Sequence, residues 1–553
     1  MASESLNRRE FFALSAAAAS TALTTTTQAA APKRPNIVLI LADDLGFSDI
    51  APYGGEIDTP NLSAMAKDGV KFRQFYNTAR CCPTRASLLT GLYSHQAGVG
   101  HMVFEDNLPG YRGDLSRNAV TIAEVLKPAG YKTMMVGKWH VTPVDADSHN
   151  WPMQRGFEKY YGTIAGAADY FNPVTLTQGN ESIQSPKDFY YTDALGQQAA
   201  TYIREHKQAS PDSPFFLYAA FTAPHWPLHA LQGEIDKYAE RYKDGWDKLR
   251  VERHKRQVAM GLVDPKWGIT DRDSSVPAWV DSPNKEWHAR RMAVYAAQVD
   301  RLDQNIGKIM AALKETGVEK DTLILFLADN GGCAEELARN ANSTGVRKTT
   351  VDGRPVQSGN VPEIMPGGEE SFQSYGVGWA NASNTPFRLY KHWEHEGGIS
   401  SPFIAKWPAK INRKTGTFVD QTGHLVDLMA TCVDVAQAKY PATFNGQPIQ
   451  PAEGKSLISA CTGGKPLPRE LYWEHEGNRA MRDGDWKLVS KFPGDWELFD
   501  IRHDRTERNN LASKFPDRVK TMTAKWEAWA KRANVVDWAK LQEMRKGKPK
   551  VKE

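Results

Sequence analysis

The sequence predicts an α/β protein with a large, mostly parallel central β-sheet that is flanked by helices. Short runs of continuously apolar residues recur along the chain, and such runs are typical of strands buried on both faces. Helical patterns lie between these runs, and strands that alternate with helices form mostly parallel sheets. From about residue 439 the pattern changes to short, half-exposed strands followed by one helix. This change predicts a smaller C-terminal antiparallel sheet with a packed helix.

Four apolar runs are the predicted core strands, and each ends in polar residues. The runs are 37–42, 131–136, 215–222 and 323–328. In that order they are followed by Asp43-Asp44, Gly137-Lys138-Trp139-His140, Ala223-Pro224-His225 and Asp329-Asn330-Gly331-Gly332. One Asp after a strand is usually a turn or a helix cap. Four such ends with complementary chemistry predict a site, because ligands of open α/β sheets bind at the carboxyl edge.

The helices are predicted from apolar stripes. The clearest stripe, at three- and four-residue steps, consists of Met292, Tyr295, Val299, Leu302, Ile306 and Ile309. In the C-terminal region, strands are expected at 470–474, 486–489 and 496–499. The helix after them has one face formed by Val519, Met522, Trp526 and Trp529. The charged segment 238–257 is expected to be a helix with one solvated side, and 333–384 to be long loops near the site.

Length and composition limit the possible classes of protein. A chain of 553 residues favours two domains, here 32–438 as the catalytic domain and 439–553 as a C-terminal α+β subdomain. A formal net charge of +4 gives no reason to expect nucleic acid or an anionic membrane as a partner. The five cysteines are too few and too scattered for a disulfide framework, and none lies in a cluster with zinc spacing.

The N-terminus resembles an export signal. The run Asn7-Arg8-Arg9-Glu10-Phe11-Phe12 precedes a mildly apolar stretch that ends in Ala29-Ala30-Ala31. Residues 1–31 are therefore predicted to be a twin-arginine signal peptide, and a disordered or mitochondrial-like leader is the alternative. The apolar stretch is too short to serve as a permanent membrane anchor. We expect export by the twin-arginine machinery to the periplasm or the medium.

Cys81 stands at a predicted helix start, in the run Cys81-Cys82-Pro83-Thr84-Arg85. Pro83 suits the first turn of a helix that continues through residues 85–89. Backbone N–H groups at such a start favour anions, and would stabilise negative charge on a nucleophile. From these residues alone, Cys81 could equally be a buried spare cysteine or the activated nucleophile of a cysteine protease.

The pattern Cys-x-Pro-x-Arg, followed by Ala-Ser-Leu-Leu-Thr-Gly at 86–91, resembles the signature of the type I sulfatases, in the alkaline phosphatase superfamily. The resemblance includes the four strand ends and 390–398, and covers the mature chain, with bacterial arylsulfatases the most similar. It implies an alkaline-phosphatase-like fold and a Cys81 that a maturase oxidises to formylglycine (3-oxoalanine). Cys82 occupies a variable position where that family usually has Ser, Ala or Thr.

The resemblance also implies a metal site and a set of catalytic residues. One Ca²⁺ would be held by Asp43, Asp44, Asp329, Asn330 and the modified Cys81. All are hard oxygen donors, which Ca²⁺ prefers, although Mg²⁺ would fit them too. The implied catalytic residues are Cys81, Arg85, Lys138, His140, His225 and Lys391. Arg85 would hold the modified residue, Lys138 and Lys391 would bind sulfate, and His140 and His225 would be the acid–base pair.

The implied reaction is hydrolysis of a small-molecule sulfate ester, in which an aryl sulfate and water give a phenol and sulfate. A hydroxyl of the hydrated formylglycine would attack sulfur. Three alternatives are a carbohydrate sulfatase, a phosphate or phosphonate hydrolase of the same superfamily, and a catalytically inactive exported glycan-binding protein. A set of aromatic side chains could either line the substrate pocket or belong to the core. This aromatic group comprises Trp151, Tyr160, Tyr161, Tyr170, Phe171, Tyr190 and Tyr191.

Overall fold

The computed structural model describes residues 34–144, 147–340, 345–414 and 416–546. The predicted signal peptide, residues 1–31, lies outside these ranges. Residues Pro35–Glu553 form one compact unit. In the described ranges, no helix combines the length and apolar character needed to cross a membrane.

The strands of the described residues are numbered in chain order. They are β1 (Asn36–Ala42), β2 (Val70–Phe72), β3 (Phe75–Tyr76), β4 (Lys132–Lys138), β5 (Lys159–Thr163), β6 (Leu176–Gln178), β7 (Glu181–Ser182), β8 (Phe215–Ala220), β9 (Thr322–Ala328), β10 (Gln357–Ser358), β11 (Ser371–Phe372), β12 (Ser400–Ser401), β13 (Phe403–Lys406), β14 (Phe418–Val419), β15 (Gly423–His424), β16 (Thr443–Phe444), β17 (Gln447–Pro448), β18 (Glu470–His475), β19 (Asn478–Asp483), β20 (Trp486–Ser490) and β21 (Glu497–Asp500).

The helices are numbered in the same way. The α-helices are α1 (Pro60–Asp68), α2 (Cys81–Thr90), α3 (Ile122–Leu126), α4 (Tyr191–Ala209), α5 (Gln232–Tyr238), α6 (Gly245–Ala259), α7 (Lys285–Glu315), α8 (Gly376–Ser383), α9 (Glu396–Ile399), α10 (Asp427–Ala436), α11 (Ile458–Cys461), α12 (Pro516–Ala533) and α13 (Trp538–Arg545). Short 3-10 helices are Ala51–Tyr53, Lys127–Ala129, Ser148–Asn150, Pro152–Arg155, Trp279–Asp281 and Glu319–Asp321.

The central sheet has ten strands in the order β14-β2-β13-β9-β1-β8-β4-β5-β6-β7. Its middle five strands, β9 to β5, are all parallel, and antiparallel partners lie at both sides. Alternate residues of β1 belong to different cores. Val38 and Ile40 pack in the core that includes α4 and α7, whereas Leu39 and Leu41 pack in the core that includes α2, α3 and α10. Helices on both faces explain why these strands are apolar throughout, and the predicted α/β fold is confirmed.

The C-terminal sheet is antiparallel and has the order β18-β19-β20-β21. Helix α12 packs on it through the buried Met522, Trp526 and Trp529, and Val519 adds partly buried apolar area. The predicted antiparallel sheet with its helix is therefore present. Strand β19 was not predicted, because its residues Asn478–Asp483 include only two apolar side chains and are flanked by charges.

The charged segment 238–257 is helical but is not one helix. Helix α5 ends at Tyr238, and α6 begins at Gly245, which has the left-handed φ of +78° that favours glycine. The inner face of α6 carries a fully buried charge: Arg253 binds Asp49 Oδ1 at 2.6 Å and Glu56 Oε2 at 2.8 Å. This segment is therefore anchored beneath the loop that follows β1 by a buried ion-pair network.

Candidate active site

The polar residues that follow four core strands meet at one edge of the central sheet. Strands β9, β1, β8 and β4 are adjacent and parallel, and Ala42 pairs with Ala328 at the ends of β1 and β9. On the other side, Ala220 at the end of β8 pairs with both Leu41 and Gly137. Parallel pairing thus brings residues from four distant segments together at the carboxyl edge, where α/β sheets bind ligands.

The acidic group of the site is buried and internally hydrogen-bonded. The backbone N–H of Asp44 donates to Asp329 Oδ1 at 3.1 Å, and Asn330 Nδ2 donates to Asp44 Oδ1 at 2.6 Å. None of Asp43, Asp44, Asp329 and Asn330 is more than 1% exposed. Asp43 Oδ1 and Asn330 Oδ1 have no hydrogen-bond partner among the described residues. Two buried oxygen atoms therefore remain available to a cation.

Three basic side chains neutralise the three carboxylates. Lys138 Nζ lies 2.5 Å from Asp43 Oδ2, and Lys391 Nζ lies 3.0 Å from Asp44 Oδ1. The Arg85 guanidinium lies 3.2 Å from Asp43 Oδ2 and 3.1 Å from Asp329 Oδ2. Burial alone would raise the pKa of Asp43, but Lys138 and other nearby cations outweigh it and lower that pKa well below its ordinary value. Burial, and then repulsion by Asp43, raises the pKa of Asp329.

Cys81 is the first residue of α2 and is 3% exposed. The helix is held against the acidic group by two side chains. The Thr84 hydroxyl donates to the Asp329 carbonyl at 2.6 Å, and Arg85 Nη1 donates to the Lys138 carbonyl at 3.0 Å. A hydrogen bond from the Cys82 thiol, together with nearby cations, lowers the pKa of Cys81 well below its ordinary value despite burial. The sulfur of Cys81 thus lies in an environment that stabilises negative charge.

His140 lies beside the two cysteines. Its Nε2 is 3.2 Å from Cys82 Sγ, and the ligand atoms of Cys81, Cys82 and His140 all lie within 4.8 Å of one another. The imidazole packs over Gly166, where a Cβ atom would come within 2.3 Å of the ring. Burial lowers the pKa of His140 to about 4, which favours the neutral ring that a general base requires.

His225 is oriented by its own loop. Its Nδ1 lies 2.6 Å from the Trp226 carbonyl oxygen, which can only accept, so Nδ1 carries a proton and donates. Its Nε2 then faces the acidic group, 3.4 Å from Asp44 Oδ2. The Tyr170 hydroxyl donates to the His225 carbonyl at 2.8 Å and fixes the backbone. Burial lowers the pKa of His225.

All ten residues named from the sequence therefore lie in one buried site; their catalytic and metal-binding roles stay predictions. Two further charged residues adjoin it. Glu335 Oε1 binds Arg80 at 2.6 Å, and Glu335 Oε2 accepts from Trp226 Nε1 at 3.0 Å and lies 3.8 Å from Lys391 Nζ. Glu335 belongs to a loop without periodicity, so no sequence pattern marked it. The neighbouring residues Gly331 and Gly332 were the only local signal.

Two further histidines and the aromatic group have structural contacts of their own. His229 is buried and donates to the Ser371 carbonyl, and His395 pairs with Glu497 at 3.0 Å. Both have structural partners. The aromatic group is mostly core: Tyr160, Tyr170, Tyr190 and Tyr191 are buried, whereas Trp151, Tyr161 and Phe171 are partly buried and pack against the two main cores.

Comparison with protein families gives two matches. Residues 35–438 match the family model described as Sulfatase. Residues 387–531 match the one described as N-sulphoglucosamine sulphohydrolase, C-terminal. The first match contains every residue of the candidate active site.

Individual proteins give concordant results. The chain is 34% identical to an arylsulfatase of Klebsiella aerogenes, over 77% of this chain and 91% of that protein. It is 33% identical to an uncharacterized sulfatase of Schizosaccharomyces pombe, over 91% and 95% of the two chains. The crystal structure of Ps i-CgsB in complex with k-i-k-neocarrahexaose has the same fold, with a TM-score of 0.65 at 22% identity, covering 94% of this chain and 98% of that one.

Proposed function

Because this chain belongs to the sulfatase family and is thus a sulfate ester hydrolase, we propose that it acts on aryl sulfates through a formylglycine at position 81 and one bound calcium ion. The family membership fits the type I sulfatases, as the sequence motifs implied. The observation that carries the proposal is the convergence of Cys81, three carboxylates, two lysines and two histidines at one sheet edge. Similarity to the Klebsiella aerogenes arylsulfatase supports the aryl substrate class.

The residues present suit calcium. The proposed donors are carboxylate and amide oxygens, and two of these buried atoms, Asp43 Oδ1 and Asn330 Oδ1, have no partner among the described residues. Asp43 and Asp44 offer ligand atoms within 4.8 Å of each other. A bound Ca²⁺ would supply Lewis acidity and positive charge toward the sulfate oxygens. Dialysis against a chelator should abolish activity, and a comparison of Ca²⁺ with Mg²⁺ in restoring it would identify the ion.

Position 81 suits a modified nucleophile. The side chain begins α2, where backbone N–H groups favour anions, and Lys138 and Lys391 contribute to lowering the pKa of its thiol. A hydrated formylglycine would offer one hydroxyl to attack sulfur and a second that permits release of sulfate. Arg85 spans Asp43 and Asp329 and holds the start of α2 against them.

The other side chains have distinct tasks in this proposal. Lys138 and Lys391 bind the sulfate oxygens where charge accumulates in the transition state. His225 acts as the imidazolium: its Nδ1–H is bonded to the Trp226 carbonyl, and a second proton on Nε2, 3.4 Å from Asp44 Oδ2, passes to the leaving oxygen. His140, neutral at pH 7 because burial lowers its pKa to about 4, accepts the proton that accompanies sulfate release.

Two measurements test the proposal. Trypsin cleaves after Arg80 and Arg85, so one peptide carries both cysteines. In protein from a host with a maturase, alkylation should label one thiol of that peptide, and fragmentation should place an aldehyde at position 81. Two labelled thiols in active protein would refute the modified nucleophile. Nitrophenyl sulfate should be cleaved much faster than nitrophenyl phosphate, and the reverse order would favour a phosphate or phosphonate hydrolase.

A carbohydrate sulfatase is the second candidate. It is favoured by the saccharide-bound Ps i-CgsB structure, which shares the fold. A panel of aryl, alkyl and sugar sulfates at equal concentration separates the two, since the true class should have the highest kcat/KM. An absence of turnover on all three, with an unmodified Cys81, would favour an inactive glycan-binding protein.

We also propose that the protein is exported by the twin-arginine route, which fits the arginine pair at Arg8 and Arg9. That route carries folded protein, so a maturase would act on Cys81 before export. The region from residue 439 is proposed as a C-terminal subdomain, in which α12 packs on the antiparallel sheet together with Tyr93 of the preceding region. Replacing both arginines by lysine in a native host should retain the protein in the cytoplasm, as measured by cell fractionation.

A further inference from the structure

A second group of metal-ligating side chains lies outside the candidate active site. This histidine cluster consists of His101, His392, His475 and Glu476. The four residues come from three segments: the loop after α2, the segment that follows Lys391, and the end of β18 with the turn that leads to β19. The sequence could not predict the cluster, because 375 residues separate His101 from Glu476.

Glu476 is the centre of the histidine cluster. Its Oε1 lies 2.6 Å from His101 Nε2 and 3.8 Å from His475 Nε2, and its Oε2 lies 3.0 Å from His392 Nδ1. The ligand atoms of His392, His475 and Glu476 lie within 4.8 Å of one another. Glu476 has a left-handed φ of +52°.

His475 has an unusual environment. It is 0% exposed, yet neither ring nitrogen has a hydrogen-bond partner among the described residues. A buried polar group without a partner costs about 1–3 kcal/mol, so native proteins rarely keep one without a reason. The Nε2 atom is directed toward the Glu476 carboxylate at 3.8 Å, which is too far for a hydrogen bond. An ion between the two groups would satisfy both.

His101 differs from the other two histidines. Arg545 Nη2 donates to its Nδ1 at 3.1 Å, and an arginine cannot accept. The proton of His101 must therefore be on Nε2, which donates to Glu476 Oε1. His101 orients the carboxylate. His392 Nδ1 lies 3.0 Å from Glu476 Oε2 and His392 Nε2 lies 3.3 Å from Asn478 Nδ2, so an ion bound at Nδ1 would replace the His392–Glu476 contact and take His392, His475 and Glu476 as ligands. This is the arrangement by which outer hydrogen bonds position metal ligands.

We propose that His392, His475 and Glu476 bind a divalent transition-metal ion, with Zn²⁺ as the favoured ion and water as the fourth ligand. Two imidazoles and one carboxylate suit Zn²⁺, whereas Ca²⁺ prefers oxygen donors alone. Zn²⁺ sits about 2.0–2.2 Å from such ligands, and a spread of ligand atoms within 4.8 Å can close around it with small side-chain movements. His392 is 29% exposed and Glu476 23%, which gives the ion access from solvent.

The site would link the C-terminal sheet to the catalytic segments. His392 directly follows Lys391, and its backbone N–H donates to the Ala79 carbonyl at 2.7 Å, two residues before Cys81. Asn478 Nδ2, on the β18–β19 turn, donates to the carbonyls of His475 at 3.0 Å and His392 at 3.3 Å. A metal ion would add a stronger connection between segments that already touch.

The test uses the full-length protein, freed of metal by a chelator and then saturated with Ca²⁺ so that the oxygen-rich site is filled. Titration with Zn²⁺ against a chromophoric competitor should give one tight site per chain. His475→Ala removes a ligand. It should weaken Zn²⁺ affinity at least as much as the loss of an outer hydrogen-bond partner does, which is about 10–100-fold. Glu476→Gln should also weaken Zn²⁺, and it keeps the side chain's size in case His475→Ala fails to fold.

The matched control is His503→Ala, which removes an exposed histidine paired with Asp500 and should leave Zn²⁺ affinity unchanged. Anomalous scattering at the zinc edge should place the ion between His392 and His475. Failure of the wild-type protein to bind Zn²⁺ more tightly than His475→Ala would overturn the proposal. So would Zn²⁺ binding that survives His475→Ala but is lost in Cys82→Ala, because the ion would then occupy the cysteine–His140 group.

Discussion

Replacing His225 by alanine should lower the hydrolysis rate most for the substrates whose leaving group most needs protonation. The imidazole Nε2 faces the acidic group because Nδ1 donates to the Trp226 carbonyl at 2.6 Å. A positioned general acid contributes about 10²–10⁴-fold, or about 3–5 kcal/mol of transition-state stabilisation. That contribution applies in full only when the departing oxygen must be protonated. Nitrophenolate leaves without protonation, whereas an alkoxide does not.

The assay compares kcat/KM for nitrophenyl sulfate, phenyl sulfate and an alkyl sulfate. For His225→Ala we expect less than about a tenfold loss on nitrophenyl sulfate and about 10²–10⁴-fold on the alkyl sulfate. The matched control is His229→Gln in the same loop. His229 is buried and donates to the Ser371 carbonyl, so its loss should lower all three rates by one common factor.

Equal losses on all three substrates in His225→Ala would refute the role of general acid. The formylglycine content of each variant must be measured by mass spectrometry, because incomplete maturation lowers every rate equally. A ratio of rates between substrates is independent of that content. The ratio is therefore the decisive quantity.

Three further predictions concern residues around the site and the core. Cys82→Ala should lower kcat/KM by about tenfold or less, because the contact between Cys82 Sγ and His140 Nε2 at 3.2 Å contributes about as much as one hydrogen bond, about 0.5–1.5 kcal/mol. Rates on nitrophenyl sulfate, corrected for formylglycine content, measure this loss. Complete inactivity of the variant would contradict the prediction. Arg253→Met should lower the free energy of unfolding by about 3–5 kcal/mol, because it leaves the buried Asp49 carboxylate without its cation and takes from Glu56 the closer of its two arginine partners. Urea denaturation measures the loss, and Lys248→Met, which breaks an exposed pair, should cost about 1 kcal/mol or less. His424 is fully buried, and burial, together with the nearby Arg469, lowers its pKa to about 3. As the pH falls below about 6.5, the unfolded chain therefore binds a proton at His424 before the folded chain does. Each pH unit of this fall should lower the free energy of unfolding by up to about 1.4 kcal/mol. His424→Gln should reduce this slope between pH 4 and 6.5 in urea denaturation, and an unchanged slope would exclude His424 as its source.

The core strands could be predicted from the sequence because burial on both faces imposes an unbroken apolar run. Strand β1 is observed at Asn36–Ala42, one residue longer than its apolar run. Strand β19 was missed for the opposite reason. It carries Arg479 and Arg482 in the middle of a sheet. Arg482 is buried, with Nη1 donating to the Tyr76 hydroxyl at 2.8 Å and Nε donating to the Gly484 carbonyl at 2.8 Å. A contact across 406 residues leaves no local pattern.

The same distinction applies to the candidate site. Asp43, Lys138 and His225 could be predicted because each lies at or just after the end of a strand, and parallel strands must end at a common edge. Lys391 follows no central strand, and only its resemblance to a family motif indicated it. Glu335 had neither signal. It is identified by three-dimensional contacts alone, with Arg80, Trp226 and Lys391.

The charges of the site connect the proposed binding of metal and of substrate. Asp43, Asp44 and Asp329 form a buried acidic group that Arg85, Lys138 and Lys391 contact at 2.5–3.2 Å. To bind a sulfate group, the two lysines must turn part of their hydrogen bonding away from Asp43 and Asp44. A buried carboxylate without a nearby positive charge costs free energy. A divalent cation on Asp43 and Asp44 removes that cost, so the lysines become available to sulfate only when the cation is bound. KM for nitrophenyl sulfate should therefore fall as the free Ca²⁺ concentration rises, and a change in kcat alone would contradict this coupling.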